Sequence, residues 1–448
     1  MTGIAGTAQN GMTATVERML DKIVHRGPSK RDVAEFDGGT LGIVRMESSG
    51  GLADPRHDQA VADFDGAGHF AEAKLVGSRV LLRRDPLGAA PLYYGFTNDG
   101  VLCFASEVKA LLEVTRDVHE LPSGHSFDGE NMQPYFQLGV KPELDAPPER
   151  IGIDLLQRLT ASVRELSRQE ERVGSWLSGG LDSSSIAALA GGGVNKLHTF
   201  AAGLEGAPDL EYARKVADFI GSNHHEVVLS FDEMLEVLPM VIYHLESFDA
   251  LLVRSSITNY LVARLASQYG STVFSGEGGD ELFAGYEYLK SIERGLLPDE
   301  LVDITGRLHN TAFQRVDRCA SAHGTIAHLP FAVPEVVDYA LRIPAELKLH
   351  EGVEKWILRQ AMRGRLPDRV LKRRKVKFWE GAGVGELLSQ YADEHIADDD
   401  FKHQRTLPNG WLLNSKEELM YYRIFKQHFG EFTDLAWMGR TKGAPQAN

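Results

Sequence analysis

Val173-Gly-Ser-Trp-Leu177 reads as a short strand, and it runs directly into Ser178-Gly-Gly-Leu-Asp-Ser-Ser-Ser185 and the helix-compatible Ile186-Ala-Ala-Leu-Ala190. A small-residue loop between a strand and a helix start is a ready phosphate site. Its glycines let backbone N–H groups turn toward an anion, and the helix N-terminus adds its positive dipole end. The loop has no lysine and does not follow G-x-x-x-x-G-K-[ST], which excludes the reading shared by GTPases and P-loop kinases. Taken alone, it also reads as a plain Gly/Ser turn.

Outward from this loop, strand-like and helix-like segments alternate. Leu197-His-Thr-Phe-Ala-Ala202 precedes a helix over 209–220, and Glu226-Val-Val-Leu229 precedes a helix over 232–245. A helix over 256–269 leads into Ser271-Thr-Val-Phe274 and a second glycine-rich loop, Phe274-Ser-Gly-Glu-Gly-Gly-Asp-Glu-Leu-Phe-Ala-Gly-Tyr286. Such alternation predicts right-handed crossovers and a parallel sheet with ligands at the strand carboxyl ends. From about 282 onward the pattern is mostly helical, and the last nine residues read as a frayed tail. Before the first loop the character differs. Gly39-Thr-Leu-Gly-Ile-Val44 and Ser78-Arg-Val-Leu-Leu-Arg83 are short alternating segments, and Asp-Gly pairs at 37, 99 and 128 supply turns, so a small β-rich domain is expected. Lys141-Pro-Glu-Leu-Asp-Ala-Pro-Pro148 reads as a linker. The expected division is 1–137, a linker at 138–150, and 151–448.

Composition narrows the class. A chain of 448 residues exceeds one comfortable core, which predicts two domains. Hydrophobic content of 43% and charged content of 25% are ordinary for a soluble globular protein. A net charge of −15 argues against nucleic acid as a bulk polyanionic partner. Cys103 and Cys319 are the only cysteines, without CxxC or Cys/His ligand spacing, so neither a disulfide framework nor a structural zinc site is expected and a reducing cytoplasm fits. Met1-Thr-Gly-Ile-Ala-Gly6 has no basic segment followed by an apolar one, and no apolar run is long enough to span a bilayer. A cytoplasmic protein without membrane contact is expected.

The S-G-G-x-D-S loop resembles those of enzymes that split ATP between the α- and β-phosphates, which points to adenylation of a substrate. Together with Ser275-Gly-Glu-Gly-Gly-Asp-Glu-Leu-Phe-Ala-Gly-Tyr286, the chain resembles the class B asparagine synthetases, whose second loop reads roughly S-G-E-G-S-D-E-x-F-G-G-Y. Further segments match in order: His198–Asp209, His224-His-Glu226, Phe248–Ser255, Val353-Glu-Lys-Trp-Ile-Leu-Arg359 and Arg373-Arg-Lys-Val-Lys-Phe378. His25-Arg-Gly-Pro28, Arg84-Asp-Pro-Leu-Gly88, Pro91-Leu-Tyr-Tyr94 and Ala105-Ser-Glu-Val-Lys-Ala110 extend the resemblance to the N-terminal part. It implies an α/β chain. Its C-terminal part would be an adenine-nucleotide-binding PP-loop ATP pyrophosphatase sheet with a helical extension. A reduced, β-rich α+β domain resembling the N-terminal-nucleophile amidotransferases would precede it.

Asp182 and Asp280 are the loop aspartates. Mg²⁺ prefers one or two protein oxygens plus phosphate and water, so two carboxylates brought beside a triphosphate suit it. Each alone is as readily a helix N-cap or first-turn residue. Ser178, Gly179, Gly180, Asp182, Ser183 and Ser184 form the expected ATP loop, its stretch to Ser183 holding the pyrophosphate end. The resemblance further implies that Leu177, Ala202, Ser275 and Gly276 line the adenine and ribose. Lys375 lies in a basic run that composition alone would leave solvated. By resemblance it is the lysine that neutralises charge building on the α-phosphate and acyl centre. The resemblance makes Glu277 the glutamate that helps an ammonia nucleophile lose its proton, where β-lactam and carbapenam synthetases have tyrosine. A loop carboxylate that only accepts backbone N–H bonds is the plainer reading. Arg254 has the planar fork to pair with a substrate carboxylate, although a structural ion pair fits as well.

Three departures from the family pattern matter. Class B enzymes begin Met-Cys-Gly-Ile, whereas this chain begins Met1-Thr-Gly-Ile4. Threonine can act as an N-terminal nucleophile, but the Asn-Gly-Glu segment that holds glutamine is also missing. The stretch from Arg45 through Glu47-Ser-Ser-Gly-Gly-Leu-Ala-Asp-Pro55 to Arg84-Asp85 is short and contains no such tripeptide. Loss of glutamine hydrolysis is expected, leaving the N-terminal domain as a structural cover. In Gly324-Thr-Ile-Ala-His-Leu-Pro-Phe331, Ile326, His328 and Val333 stand where the family has Glu, Arg and Asp. A more apolar substrate wall and an acid other than free aspartate are therefore expected. The implied activity is an ATP- and Mg²⁺-dependent, AMP-forming amide ligase acting on a small carboxylic acid. Its nitrogen nucleophile would be ammonia or an amine made by a partner enzyme. An intramolecular or peptide-forming synthetase of the β-lactam synthetase or lasso-peptide-cyclase type is the alternative. A non-catalytic regulator is disfavoured by the intact Asp182, Asp280, Glu277 and Lys375. A homodimer is the family expectation.

Overall fold

Three buried residues, Gly174–Trp176, form the central strand β12 of a five-stranded parallel sheet ordered β14-β13-β12-β15-β16. The structure is a computed structural model that describes residues 2–46, 58–64, 67–168, 172–192, 196–375 and 381–442. The other strands are β13 (His198–Leu204), β14 (Asn223–Leu229), β15 (Thr272–Phe274) and β16 (Ile326–His328). From β12 the chain winds outward through β13 to β14, then returns to place β15 on the other side of β12, with Ser175 beside both Thr199 and Phe274. The winding direction therefore switches between β12 and β15, where open α/β sheets form their ligand crevice. Both glycine-rich loops leave the sheet there.

Local sequence explains each element. The central strands are buried on both faces and carry only small, hydroxyl or apolar side chains with no charge, Gly-Ser-Trp in β12 and Thr-Val-Phe in β15. β14 pairs on one side only and opens with the polar Asn223-His-His-Glu226, as suits an edge. Crossover helices span Leu181–Gly191, Pro208–Ile220, Phe231–Leu245 and Ala250–Ala266. Ser230 and Glu233 make a reciprocal capping box. Asp249 caps the last of these helices by accepting from Leu252 N, so that helix starts six residues earlier than the apolar pattern suggests. The segment after 282 is mainly helical but also holds β16 and a small hairpin, Leu349–His350 with Val353–Glu354, which periodicity does not reveal.

The N-terminal part folds as two antiparallel sheets. One is ordered β2-β3-β1-β8-β7-β9 and the other β11-β10-β6-β5-β4. Here β1 is Thr2–Thr7, β2 Lys30–Phe36, β3 Gly39–Arg45, β4 Ala60–Phe64, β5 Phe70–Val76 and β6 Arg79–Arg84. β7 is Tyr93–Phe96, β8 Leu102–Ala105, β9 His119–Glu120, β10 His125–Phe127 and β11 Met132–Pro134. Ile4, Ile43, Val61, Leu82 and Phe104 fill the space between the sheets. The outer face of the larger sheet buries Ala5, Val44 and Ala105 against Val16, Met19 and Leu20 of the helix Thr13–Lys22, in a core continuous with that of the parallel-sheet body. Every residue of β3 is consequently buried.

Charges centred on the fully buried Arg26, Arg318 and Glu107 join the two bodies. Arg26 clasps Asp317 through 2.7 and 2.9 Å bonds, and Arg318 reaches Glu107 at 2.7 Å. Residues 440–442, read as part of a frayed tail, are tied down instead. Thr441 binds the Asp249 carboxylate, and Lys442 reaches Glu300 and Asp303. The rest of that tail, 443–448, lies outside the described residues, as do Met1, the 47–55 stretch and positions 377 and 378. Among the described residues no helix is long and apolar enough to cross a membrane.

Candidate active site

The first loop is shaped by Gly179, at φ +67°, and by Gly180, which precedes the first turn of the helix Leu181–Gly191. Ser183 Oγ accepts from Ser178 N at 3.2 Å and lies 3.0 Å from Ser178 Oγ, so the turn is knitted before any ligand arrives. The second loop begins at Ser275, whose N–H donates to His328 O at 2.9 Å, and turns through Gly278 at φ +96°. A Cβ on Gly276 would stand 2.6 Å from Ser183 N, and one on Gly279 would stand 2.6 Å from Asp182 Cγ. Backbone meets backbone at Gly276, and the Asp182 side chain packs onto Gly279, because neither position carries a side chain.

That close approach brings Asp182 and Asp280 together. The Lys355 ammonium pairs with Asp182 and lies 2.6 Å from Asp280 Oδ1, while Lys375 Nζ lies 2.5 Å from Asp280 Oδ2. Burial pushes the Asp280 carboxyl up, but Lys355 and Lys375 overcome it and hold the group well below the usual range. At Asp182 burial wins, helped by the like charge of Asp280, and the carboxyl sits above its ordinary value despite Lys355. Burial works against the Lys375 ammonium, yet the two aspartates raise its pKa. Asp182 Oδ1 is buried without a hydrogen-bond partner among the described residues. The pair thus accepts a cation already, in the form of Lys355, and keeps an acceptor free. No group of three metal-ligating side chains occurs among the described residues. Two carboxylates still fit Mg²⁺, which takes its remaining ligands from phosphate and water.

The cluster opens on a cavity of about 480 Å³ at the carboxyl edge of the sheet. Leu177, Ser178, Gly180, Asp182 and Ser183 line it, with Ala202 from β13. Ser275, Gly276, Glu277, Asp280 and Lys375 complete the expected set. Gly179 and Ser184 shape the loop from behind and are not on the wall. Glu277 does not merely accept backbone bonds; its carboxylate pairs with Arg315 at 2.5 Å. Glu281 accepts from Tyr286 Oη, and burial, with Asp280 beside it, pushes its carboxyl up to about 7.

Three expectations need correction. Arg254 does not reach the cavity, because its fork is held by Glu417 on the C-terminal helix Lys416–Phe429. Ile326 and His328 belong to β16, a strand paired with β15, and neither they nor Val333 line the cavity, so the apolar wall expected there does not exist. Arg373, grouped by composition with a solvated run, is largely buried, pairs with Asp209 and donates to Ser178 O at 3.3 Å. Lys355 and Arg315 were missed as site residues. Lys355 adopts φ 56°, a strained value for a non-glycine residue, and follows a hairpin that has no periodic signal. Arg315 sits on the amphipathic helix Ala312–Ser321, where a buried arginine cannot be told from an exposed one by type alone.

Across the chain, Thr2 is fully buried in β1. Its Oγ1 donates to Asp63 Oδ1 at 2.8 Å, its N–H donates to the same oxygen, and its carbonyl accepts from Arg26 Nε.

The chain matches the asparagine synthase family over residues 154–303 and 300–444, and a glutamine amidotransferase domain over 51–113. A probable asparagine synthetase (glutamine-hydrolyzing) of Schizosaccharomyces pombe is 36% identical over 410 residues, covering 82% of this chain and 74% of its own length. Asparagine synthetase B (glutamine-hydrolyzing) of Escherichia coli is 34% identical over 392 residues, covering 82% of this chain and 70% of its own. A solved NMN synthetase from Francisella tularensis covers 65% of this chain and 99% of its own at 13% identity and a TM-score of 0.31, too distant to carry an argument. With a family match over most of its length and two phosphate loops meeting in one crevice, this chain belongs to the asparagine synthetase family and is an ATP-dependent carbon–nitrogen ligase.

Proposed function

We propose that the enzyme adenylates a substrate carboxylate and passes the acyl group to ammonia or another small amine, without hydrolysing glutamine. The observation that carries this is the cluster of Asp182, Asp280, Lys355 and Lys375 where the two glycine loops meet in the cavity. A carboxylate oxygen of the acid attacks the α-phosphorus of ATP. The bond from that phosphorus to the bridging oxygen breaks, and pyrophosphate leaves with the electron pair. The 178–183 loop receives its charge through backbone N–H groups and the helix N-terminus. Lys375 and Lys355 stabilise negative charge as it builds at the transferring centre, where preorganised cations act without reorganisation cost. The nitrogen lone pair then attacks the acyl carbon, the bond to AMP breaks, and the amine proton passes to Glu277, which Arg315 orients. Asp182 and Asp280 are the residues that would hold Mg²⁺, whose chemistry is to neutralise phosphate charge.

Loss of glutamine hydrolysis is supported by Thr2. Its hydroxyl is buried and already donates to Asp63, which leaves the nucleophile position without access to substrate. In this reading residues 1–137 cover the synthetase part, 138–150 connect, and 151–448 carry the chemistry. The test is exchange of labelled pyrophosphate into ATP by purified protein with Mg²⁺ and candidate acids, followed by AMP release on adding ammonium. Absence of exchange with any acid sinks the adenylation step, and glutamate release from glutamine sinks the nitrogen-source claim.

A further inference from the structure

One cation on the cavity wall is not used by the fold. Every other lysine and arginine that lines the cavity is paired with a carboxylate. Arg374 lines it too, is exposed, and has no ion-pair or hydrogen-bond partner among the described residues. It therefore stands at the mouth with its guanidinium uncommitted.

The backbone that carries this side chain is fixed on both sides. Arg359, on the helix Trp356–Ala361, donates from Nη1 to Arg373 O at 3.0 Å. Lys375 N–H donates to Glu354 Oε1 at 3.2 Å. Arg359 and Glu354 are buried and pair with each other at 2.6 Å. One ion pair thus grips the two peptide groups that flank Arg374. A buried ion pair is weak evidence for stability in itself; here its spare bonds set a backbone position.

That position is the lip of the phosphate loops. Arg373 donates to Ser178 O at 3.3 Å, and Lys375 Nζ lies 2.5 Å from Asp280 Oδ2. The Cα of Arg374 is about 3.8 Å from that of each neighbour, so it is anchored to both loops at once. The loop 178–183 carries no cationic side chain, and its one charged group is the carboxylate of Asp182. Lys355 and Lys375 are engaged with the aspartates deeper in the cluster. The terminal phosphate of ATP, which leaves as part of pyrophosphate, still lacks a cation on the solvent side. A guanidinium presents a planar fork of N–H donors that matches phosphate oxygens in pairs.

We propose that Arg374 binds the terminal phosphate of ATP and then the departing pyrophosphate, at the mouth of the cavity and outside the aspartate–lysine cluster. The inference rests on the reading of the 178–183 loop as the pyrophosphate site and adds to it a side chain that sets affinity for the polyphosphate end alone.

The test is calorimetric titration of the full-length protein with Mg²⁺·pyrophosphate, Mg²⁺·ATP and AMP, comparing wild type with Arg374→Gln and Arg374→Lys. Binding needs no acid substrate, so the outcome does not depend on which acid is activated. Arg374→Gln should weaken pyrophosphate and ATP by about tenfold or more while AMP binds as before. Arg374→Lys should recover part of the loss, because it restores the charge without the fork. The far-UV circular dichroism should not change, since Arg374 has no contact to lose. Unchanged pyrophosphate affinity in Arg374→Gln overturns the proposal, as does an equal loss for AMP. Titration with aspartate in the presence of the α,β-methylene analogue of ATP supplies the second arm. A loss confined to aspartate would assign the guanidinium to a substrate carboxylate and overturn the proposal while the loop reading stands. A wild-type protein that binds neither pyrophosphate nor ATP overturns the loop reading and the proposal together.

Discussion

Lys355 Nζ lies 2.6 Å from Asp280 Oδ1 and pairs at the same time with Asp182, so a single buried ammonium holds the two loop carboxylates together. Removing it by Lys355→Met leaves two like charges in contact. Breaking a buried ion pair from one side costs about 3–5 kcal/mol. The expected loss in unfolding free energy is of that order in urea titrations with EDTA, and millimolar Mg²⁺ should restore part of it. A variant that Mg²⁺ does not stabilise would show that the aspartates do not hold the metal.

Gly276→Ala places a Cβ 2.6 Å from Ser183 N, against backbone that cannot rotate away. The two loops must separate by a fraction of an ångström to about one ångström, and a misplacement of that size costs about 100-fold in rate. Pyrophosphate exchange should fall by that factor while the far-UV circular dichroism stays unchanged. Retained exchange would show that the loops need not touch.

Stability should fall as the pH drops below neutrality. His244 is buried among Lys109, His25, Glu107 and His323, and its Nδ1 has no hydrogen-bond partner among the described residues. Burial first, then the charges of Lys109 and His25, push its pKa down to about 2 from 6.5, and burial likewise lowers His323 to about 4. Below pH 6.5 the unfolded chain takes up protons that the folded one refuses. Each such histidine therefore subtracts about 1.4 kcal/mol per pH unit until its folded pKa is reached. Unfolding midpoints measured from pH 7.5 to 5 should show this slope, and His244→Phe should flatten it by about the share of one histidine. A variant with the wild-type slope would refute the assignment.

Thr2→Cys should not create a glutaminase. The side chain at this position is fully buried against Asp63 and Ala62, Arg26 holds the backbone carbonyl, and a thiol there faces the same acceptors as the hydroxyl. Glutamate release from glutamine should stay at background in wild type and variant alike, measured by coupled glutamate oxidation. Turnover in the variant would mean that glutamine can reach the site.

Much of the site was legible from residues 173–185 and 274–286 because its recognition is local. A glycine loop between strand and helix binds phosphate through its own backbone, so its sequence carries its function. Asp182, Asp280, Glu277 and Lys375 lie in or beside such stretches, and the structure brings them to one cavity. Arg254 misled because a guanidinium in a family-like segment looks the same whether it faces substrate or, as here, Glu417, which is 163 positions away in the chain. Ile326 misled for a related reason: its motif position suggested a substrate wall, but pairing with β15 sets where its strand lies.

The sequence by itself determined the alternation of strand and helix, the two glycine-rich loops, the ATP-dependent ligase family they point to and the altered N-terminus, since each depends on residues close together in the chain. Only the tertiary structure decided that Lys355 bridges the aspartates, that Arg315 holds Glu277, that Arg254 is withdrawn, and that Leu251, Leu252 and Ile304 line the same cavity as the two glycine-rich loops. Those relationships join residues tens to more than a hundred positions apart. Which charges pair, and so which remain for a substrate, follows from packing and burial that no local stretch encodes.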